Sequence, residues 1–451
     1  MDPLLFKYND QRVSRYSSYP TAIFWAGQID EENWRKSVAQ EYDLRNHTEG
    51  LSLNLQLPFC ERICSFCGCN TKNSGNLNAE ERYLESLKKQ WAWYRKLMRQ
   101  TPVIRQIHIG GSKPVFFSPA NLKKTIQMLT RDCILHPNHV FSIQFETTNI
   151  NSEYLHVLAE AGFRKISYKV QADDAALQHA TNPDRFFEPV QSAISGARSY
   201  GFQSVNVDLI VGMHTESIPA LTDVIKQLIN INPDRIVFDS DRTPGKKEEQ
   251  ISIEKKTWYS VNMHPLFRDA KHLLTAAGYF DIGLYHFARS GDPLENAFLE
   301  KTIRRTFMGY EASNNGLIIG LGVAAISDIG VAYGQNSNTL NDYQSKIDYA
   351  KSGIQTGYFL TEEDKVIRHY IFDICTKQET TICPEHVSMF IAHTFPLLYQ
   401  MQQDGLLTFD GKNIQLTPIG QQYIEQICST FDLKLYQQQA NSSNTLCSPV
   451  L

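Results

Sequence analysis

The 451-residue chain reads as an α/β protein built on an incomplete parallel barrel of (β/α)6 type. Two observations predict this. Segments of strand pattern start at residues 51, 103, 140, 165, 204 and 235, so they recur 25 to 52 residues apart, with helical patterns between them. That spacing fits βα units joined by right-handed crossovers, and hence parallel strands. Six units are also too few to close an eight-fold barrel, which leaves an open doubly wound sheet as the alternative.

The elements follow in order. Residues 51–57, LSLNLQL, alternate apolar and polar with period two, which predicts a strand that Pro58 ends. Residues 79–99 are charged and aromatic at helical spacing, and 103–111 predict a strand ending in Gly110-Gly111. Helical patterns are predicted over 121–131, 152–161, 189–200 and 218–229, and extended ones over 140–147, 165–171, 204–212 and 235–240. Beyond about residue 340 the pattern changes. Thr361 opens a helix with an acidic first turn, a second helix ends at Asp404-Gly405, two short strands flank Asp410-Gly411, and Pro418 starts a last helix. Helix, hairpin, helix resembles a winged-helix module. It lacks a basic run, so a structural or lid role is expected rather than DNA binding. The domain limits read as 1–48 for an N-terminal segment near the active site, 49–335 for the barrel, 336–435 for a mainly helical C-terminal domain and 436–451 for a flexible tail.

Composition narrows the function. Lys and Arg total 44 against 48 Asp and Glu, a net charge of −4, which argues against wrapping nucleic acid. A hydrophobic fraction of 42% is ample for a core. The start mixes charges into its apolar residues, unlike a secretory signal, and the longest near-unbroken apolar stretch, 316–326, is too short to span a bilayer. A cytoplasmic protein without membrane contacts, working as a monomer, is expected.

Five of the nine cysteines are scattered, whereas Cys60, Cys64, Cys67 and Cys69 crowd into ten residues. A disulfide framework would spread them, and structural zinc would need a second ligand pair at a distance. The spacing Cys-x3-Cys-x2-Cys supplies three thiolates from one loop, and a cubane 4Fe–4S cluster held by three thiolates keeps one iron open to an exogenous ligand. Cys60, Cys64 and Cys67 are therefore the expected ligands, with Cys69 beside them. The loop follows the first strand, at the edge where α/β folds place their chemistry.

Larger motifs carry a resemblance. Arg15-Tyr-Ser-Ser-Tyr-Pro-Thr21, Pro58-Phe-Cys-Glu-Arg-Ile-Cys-Ser-Phe-Cys-Gly-Cys69, Tyr285-His-Phe-Ala-Arg289, Phe307-Met-Gly-Tyr310 and Gly320-Leu-Gly-Val-Ala-Ala-Ile-Ser327 resemble the oxygen-independent coproporphyrinogen III oxidases, radical S-adenosylmethionine enzymes of haem biosynthesis. The likeness runs in order from about residue 6 to 435. It implies a radical S-adenosylmethionine barrel, a 4Fe–4S cluster, S-adenosylmethionine at the open iron and a second molecule beside the first. It also implies a reaction: a 5′-deoxyadenosyl radical takes hydrogen from a substrate propionate, carbon dioxide leaves, and an electron passes to an unidentified acceptor. Two propionates of coproporphyrinogen III become vinyl groups, giving protoporphyrinogen IX.

The resemblance also implies roles for residues. Gln171 and Asp208 match cofactor-holding positions, Ile210 and Ile326 match apolar cofactor contacts, and Phe66 can shield the cluster or face adenine. Gly110, Gly111 and Ser112 match the glycine run whose backbone meets the methionine end. Arg15, Tyr16 and Tyr19 resemble a segment near the active site. Arg15, Arg289, Arg304 and Arg305 are candidate cations for the substrate's carboxylates, so Arg15, Tyr16 and Arg289 are expected to be catalytic. The chain departs from the family pattern at several contacts. Ser112-Lys113 replace Gly-Thr, Gln144 a Glu, Asn54 a Tyr, Lys165 an Arg, Lys169 a Gly and Tyr285 an Asp, and an Arg after the fourth strand is missing near Pro183. These departures describe a divergent member. Two other functions stay open: a radical enzyme that methylates and opens haem, and a non-catalytic relative that binds porphyrin or cluster.

Overall fold

The frame is a run of six parallel strands: β1 (Leu51–Leu57), β2 (Val103–Gly111), β3 (Ile134–Glu146), β4 (Phe163–Gln171), β5 (Ser204–Val211) and β6 (Arg235–Ser240). The computed structural model describes residues 3–8, 16–25, 27–57, 77–111, 117–146, 150–171, 184–211, 218–240, 267–313 and 316–442. Helices Leu77–Arg95, Pro119–Thr130, Ser152–Glu160, Asp184–Ser199 and Ile218–Ile231 follow the first five strands in turn. Local chemistry starts two of them: the Ser118 hydroxyl accepts from Asn121 N ahead of Pro119, and the Asn151 side chain accepts from Tyr154 N.

Among the described residues the sheet does not close on itself. It has twelve strands, and beyond β6 it continues through two antiparallel strands, β7 (Tyr279–Gly283) and β8 (His286–Arg289), with β8 beside β6. A separate hairpin follows, β9 (Arg304–Thr306) with β10 (Gly309–Glu311). On the other side β11 (Ile318–Leu321) pairs with β1 in parallel, and β12 (Ile326–Asp328), β13 (Ala332–Asn336) and β14 (Ile354–Phe359) extend the sheet antiparallel. The sheet thus runs on to Phe359, past the limit of 335 set above. Its last hairpin is spaced by the helix Leu340–Asp348, which broke the strand pattern in the sequence.

β3 begins at Ile134, six residues before the expected 140. Pro137 hid this start. Leu135 pairs with Ile104 and Val140 with Gln106, so the proline sits at a register shift, where the ladder needs no N–H from it.

Two large cores result. The first packs the apolar side of the parallel strands (Leu53, Ile107, Phe141, Val207) on the following helices through Leu87, Leu122 and Leu228. The second joins Tyr8, Tyr16 and Tyr19 of the N-terminal segment to β7 and to the C-terminal helices through Ile282, Ile371 and Phe431. In the C-terminal part, helix Glu362–Lys377 has a full capping box between Thr361 and Asp364. A third strand, β15 (Glu379–Thr381), joins the expected hairpin of β16 (Leu407–Phe409) and β17 (Asn413–Leu416). Helix Leu433–Ser442 covers part of the segment expected to be a tail, because Asp432 accepts from Leu435 N at its start and Leu433 packs on the second core.

Candidate active site

Parallel strands covered on both faces read as continuous apolar runs. These strands instead alternate, and the registers put their polar residues on one shared face. Asn54, His108, Ser142, Lys165 and Ser204 stand side by side across β1 to β5. Further toward the C-terminal edge come Gln144 beside Ser167, and Lys169 beside Asp208. Side-chain bonds knit this face together. His108 Nδ1 lies 2.9 Å from Ser142 Oγ, and Gln56 Nε2 donates to Asn54 Oδ1 at 3.1 Å. Asn206 Nδ2 donates to Ser167 Oγ at 3.4 Å, and Gln106 Nε2 donates to Glu311 Oε1 of the β9–β10 hairpin at 3.2 Å.

At the centre of this face the Gln144 amide donates to Asp208 Oδ2 at 2.6 Å, reaching across β4. Burial raises the Asp208 carboxyl above the ordinary aspartate range, opposed by this bond and by the nearby Lys169. Burial also pushes His108 down to about 4, helped by Lys165 and Lys169, so the imidazole is neutral at physiological pH. Lys165 is lowered by burial and by Arg235.

The strand ends shape the rest. Gly111 has φ 112°, and a Cβ there would sit 2.2 Å from Leu57 O, so the backbone at the end of β2 lies directly against the end of β1. Gly110 comes close to His108 Nε2 and the Gln56 amide. The Asn54 amide donates to Ile326 O at 3.5 Å, which brings two of the expected contacts together. Ile326 itself packs against Trp25 and Tyr333, and Ile210 is buried near the end of β5, on the polar side. Gln171 is the last residue of β4.

Other expected residues lie elsewhere. Arg289 sits at the opposite edge. β8 runs antiparallel to β6, so Arg289 falls beside Asp234 at the start of β6, with Nη1 3.9 Å from Asp234 Oδ1 and the side chain half exposed. The strand direction, which spacing does not reveal, removes it from the edge where the cysteine loop leaves β1. Tyr16 is fully buried in the second core, where its hydroxyl donates to Asp432 Oδ2 at 3.1 Å. Arg304 is exposed, whereas Arg305 is buried with its guanidinium 4.7 Å from the Tyr310 ring centroid. Arg305 Nε and Nη1 have no hydrogen-bond partner among the described residues. Arg15, Cys60, Cys64, Phe66, Cys67 and Ser112 lie outside the described residues, as does the side chain of Gln171. His108, Ser142 and Gln56 were not among the expected site residues. Their signal was the period-two alternation of polar residues in strands that a parallel sheet would otherwise make wholly apolar.

The arrangement fits an S-adenosylmethionine-dependent iron–sulfur site. In sequence three closely spaced thiols follow β1, and at the end of β2 Gly111, where a Cβ would sit 2.2 Å from Leu57 O, lies against the last residue of β1. The buried carboxylate–amide pair on the same face suits the hydroxyl and ammonium groups of a cofactor. No helix among the described residues is long and apolar enough to cross a membrane.

The radical SAM superfamily pattern matches residues 56–228. The oxygen-independent coproporphyrinogen III oxidase of Salmonella typhimurium is 30% identical over 443 residues, covering 96% of this chain and 95% of the relative. The Escherichia coli enzyme of the same name is 29% identical over 448 residues, with 96% and 95% covered. The solved structure of Escherichia coli coproporphyrinogen III oxidase, described as a radical SAM enzyme, superposes with a TM-score of 0.80 at 27% identity, covering 94% of this chain and all of that one. Likeness of this extent, in sequence and in fold, places the chain in the oxygen-independent coproporphyrinogen III oxidase family.

Proposed function

We propose that the protein converts two propionate side chains of coproporphyrinogen III to vinyl groups without oxygen, yielding protoporphyrinogen IX and two molecules of carbon dioxide, with one electron per vinyl group passing to a separate acceptor. The observation that carries this reading is the buried Gln144–Asp208 pair toward the C-terminal ends of the parallel strands, in a chain whose sequence sets Cys60, Cys64 and Cys67 shortly after the last residue of β1. When bound, a reduced 4Fe–4S cluster and S-adenosylmethionine supply a carbon radical that takes one hydrogen atom from a propionate β-carbon.

The chain's own residues bind and orient. Cys60, Cys64 and Cys67 would hold the cluster, with Phe66 shielding it. Asp208 suits a ribose hydroxyl, and the Gln144 carbonyl an ammonium. Backbone N–H groups at Gly110, Gly111 and Ser112 would meet the amino-acid end, with Gln171 at the head of β4 and Asn54 beside Ile326 completing the wall. Ile210 and Ile326 supply apolar contact. Arg15 and Arg305 are the cations that suit substrate carboxylates. Arg305 is already desolvated and keeps two N–H groups for an acceptor. Tyr16 braces the N-terminal segment on Asp432. The same reading takes the enzyme as a cytosolic monomer, which light scattering of the purified protein would check.

The test is anaerobic reconstitution with iron and sulfide, reduction with dithionite, and assay with S-adenosylmethionine and an added one-electron acceptor for 5′-deoxyadenosine and protoporphyrinogen IX. Substrate-dependent formation of both is expected. 5′-Deoxyadenosine formed equally with and without coproporphyrinogen III would point to a different substrate, and none under either condition would overturn the reading.

A further inference from the structure

Lys165 is a cation of the polar face that the protein itself leaves unserved. It is the third residue of β4, in register with Ser142 on β3 and Ser204 on β5. Both serines spend their hydroxyls elsewhere, Ser142 on His108 at 2.9 Å and Ser204 on Asn206 Oδ1 at 3.0 Å. The carboxylates that Lys165 senses are Glu311, Asp292 and Asp208, and each is already bonded, to Gln106, Arg235 and Gln144 in turn. No acceptor among the described residues lies within hydrogen-bond or ion-pair distance of its ammonium. Nor is the residue sealed off. It stays partly exposed, whereas Ile166 and Tyr168, on the other side of the strand, are fully buried.

A desolvated ammonium without an acceptor is costly, and a ligand that brings the acceptor recovers that cost. Burial and Arg235 both weaken the charged form of Lys165, and a carboxylate set against it would restore it. The substrate proposed above has four propionates, of which two react and two stay. Depth along the strand decides between them. Gln171, the last residue of β4, lies six residues beyond Lys165, about 20 Å at 3.3 Å per residue, and the radical chemistry belongs to that far edge. We propose that Lys165 anchors a propionate of coproporphyrinogen III inside the sheet, and that this propionate is one that does not react. Lys165 is then a specificity-determining residue that sets which arms of the ring face the cofactor. The proposal rests on the reaction proposed above and goes beyond it by naming the residue that orients the ring.

Anaerobic calorimetry on the reconstituted full-length protein, with S-adenosylmethionine present and no reductant, measures coproporphyrinogen III binding without turnover. Lys165→Met should weaken that binding at least tenfold, the size of a lost charge-assisted contact, while S-adenosylmethionine stays within twofold. Its Tm should be no lower than that of wild type, because the substitution removes an unpaired charge. Lys165→Arg should bind substrate within threefold of wild type. With reductant and saturating substrate, Lys165→Met should still form 5′-deoxyadenosine, because the reacting arm lies elsewhere. If Lys165→Met binds substrate as wild type does, loses substrate and cofactor equally, or melts lower, the anchor falls while the proposed reaction stands. Saturated Lys165→Met that forms no 5′-deoxyadenosine would put Lys165 at the reacting arm and overturn the assignment. If the wild-type protein binds no coproporphyrinogen III, the proposed reaction falls and takes the anchor with it.

Discussion

The two ends of the six parallel strands treat charge in opposite ways. At the N-terminal edge Arg235 grips Asp292 through two contacts, Nε to Oδ2 at 2.9 Å and Nη2 to Oδ1 at 2.8 Å, with both side chains nearly buried. Asp292 also accepts from Leu294 N, capping the helix Pro293–Leu299. That assembly is satisfied within the protein. Toward the C-terminal edge Asp208 meets a neutral amide, and burial holds its carboxyl above the ordinary range. The Gln144 carbonyl beside it offers lone pairs to a ligand. The contrast separates the two tasks of such a sheet, stability at one edge and ligand chemistry at the other.

The largest test addresses the chemical edge. Cys64→Ala should abolish the brown iron–sulfur absorption after anaerobic reconstitution, because losing one thiolate opens a second corner of the cube. Cys69→Ala should largely keep it, and equal loss in both would overturn the ligand assignment. At the other edge, Arg235→Met leaves Asp292 buried without its cation and should cost about 3 kcal/mol in denaturant unfolding. Its effect on S-adenosylmethionine affinity should be slight. A variant that unfolds normally but loses the cofactor would erase the distinction between the edges.

Substitutions within the Gln144–Asp208 pair sharpen the comparison further. Gln144→Glu restores the residue type of the family pattern but places a second carboxylate against Asp208, so the two must share a proton. It should lower stability by about 1–3 kcal/mol at pH 7 and recover on acidification. A higher Tm at pH 7 would show that a cation, such as Lys169, already balances both. Asp208→Asn tests the sign directly. A raised folded-state pKa means that the native protein holds more protons than the unfolded chain, so stability falls as pH rises through the ordinary aspartate value of about 3.9. The Asp208→Asn variant carries no titrating group there and would escape that loss. A gain in stability at pH 7 is expected, vanishing below about pH 4. Arg289→Ala should do least. The side chain is 46% exposed and reaches Asp234 only at 3.9 Å, so a change under about 0.5 kcal/mol is expected, with porphyrinogen binding intact. A large loss of binding there would mean that the substrate approaches the edge opposite the cysteine loop.

Much of this was legible along the chain. The order of strand and helix follows from periodicity and from local signals such as Ser118-Pro119 and Thr361-Glu-Glu-Asp, which act over a few residues and survive in any context. The cysteine spacing is local in the same sense. The early start of β3 was not legible, because Pro137 excludes a regular ladder but not a shifted one, and the shift depends on the partner strand. The Gln144–Asp208 contact joins residues 64 apart in sequence, and nothing in either segment names the other.

Residue types and their periods specified which segments would be extended, which would coil, and which thiols would stand together, because those outcomes depend on neighbours a few positions away. Strand direction and register settled the rest. They carried Arg289 to the edge away from the cysteine loop, buried Tyr16 against Asp432 and set Lys169 beside Asp208. Each of these depends on how strands distant in sequence pair, and a one-residue slip in that pairing would turn every polar side chain of a strand to its other face.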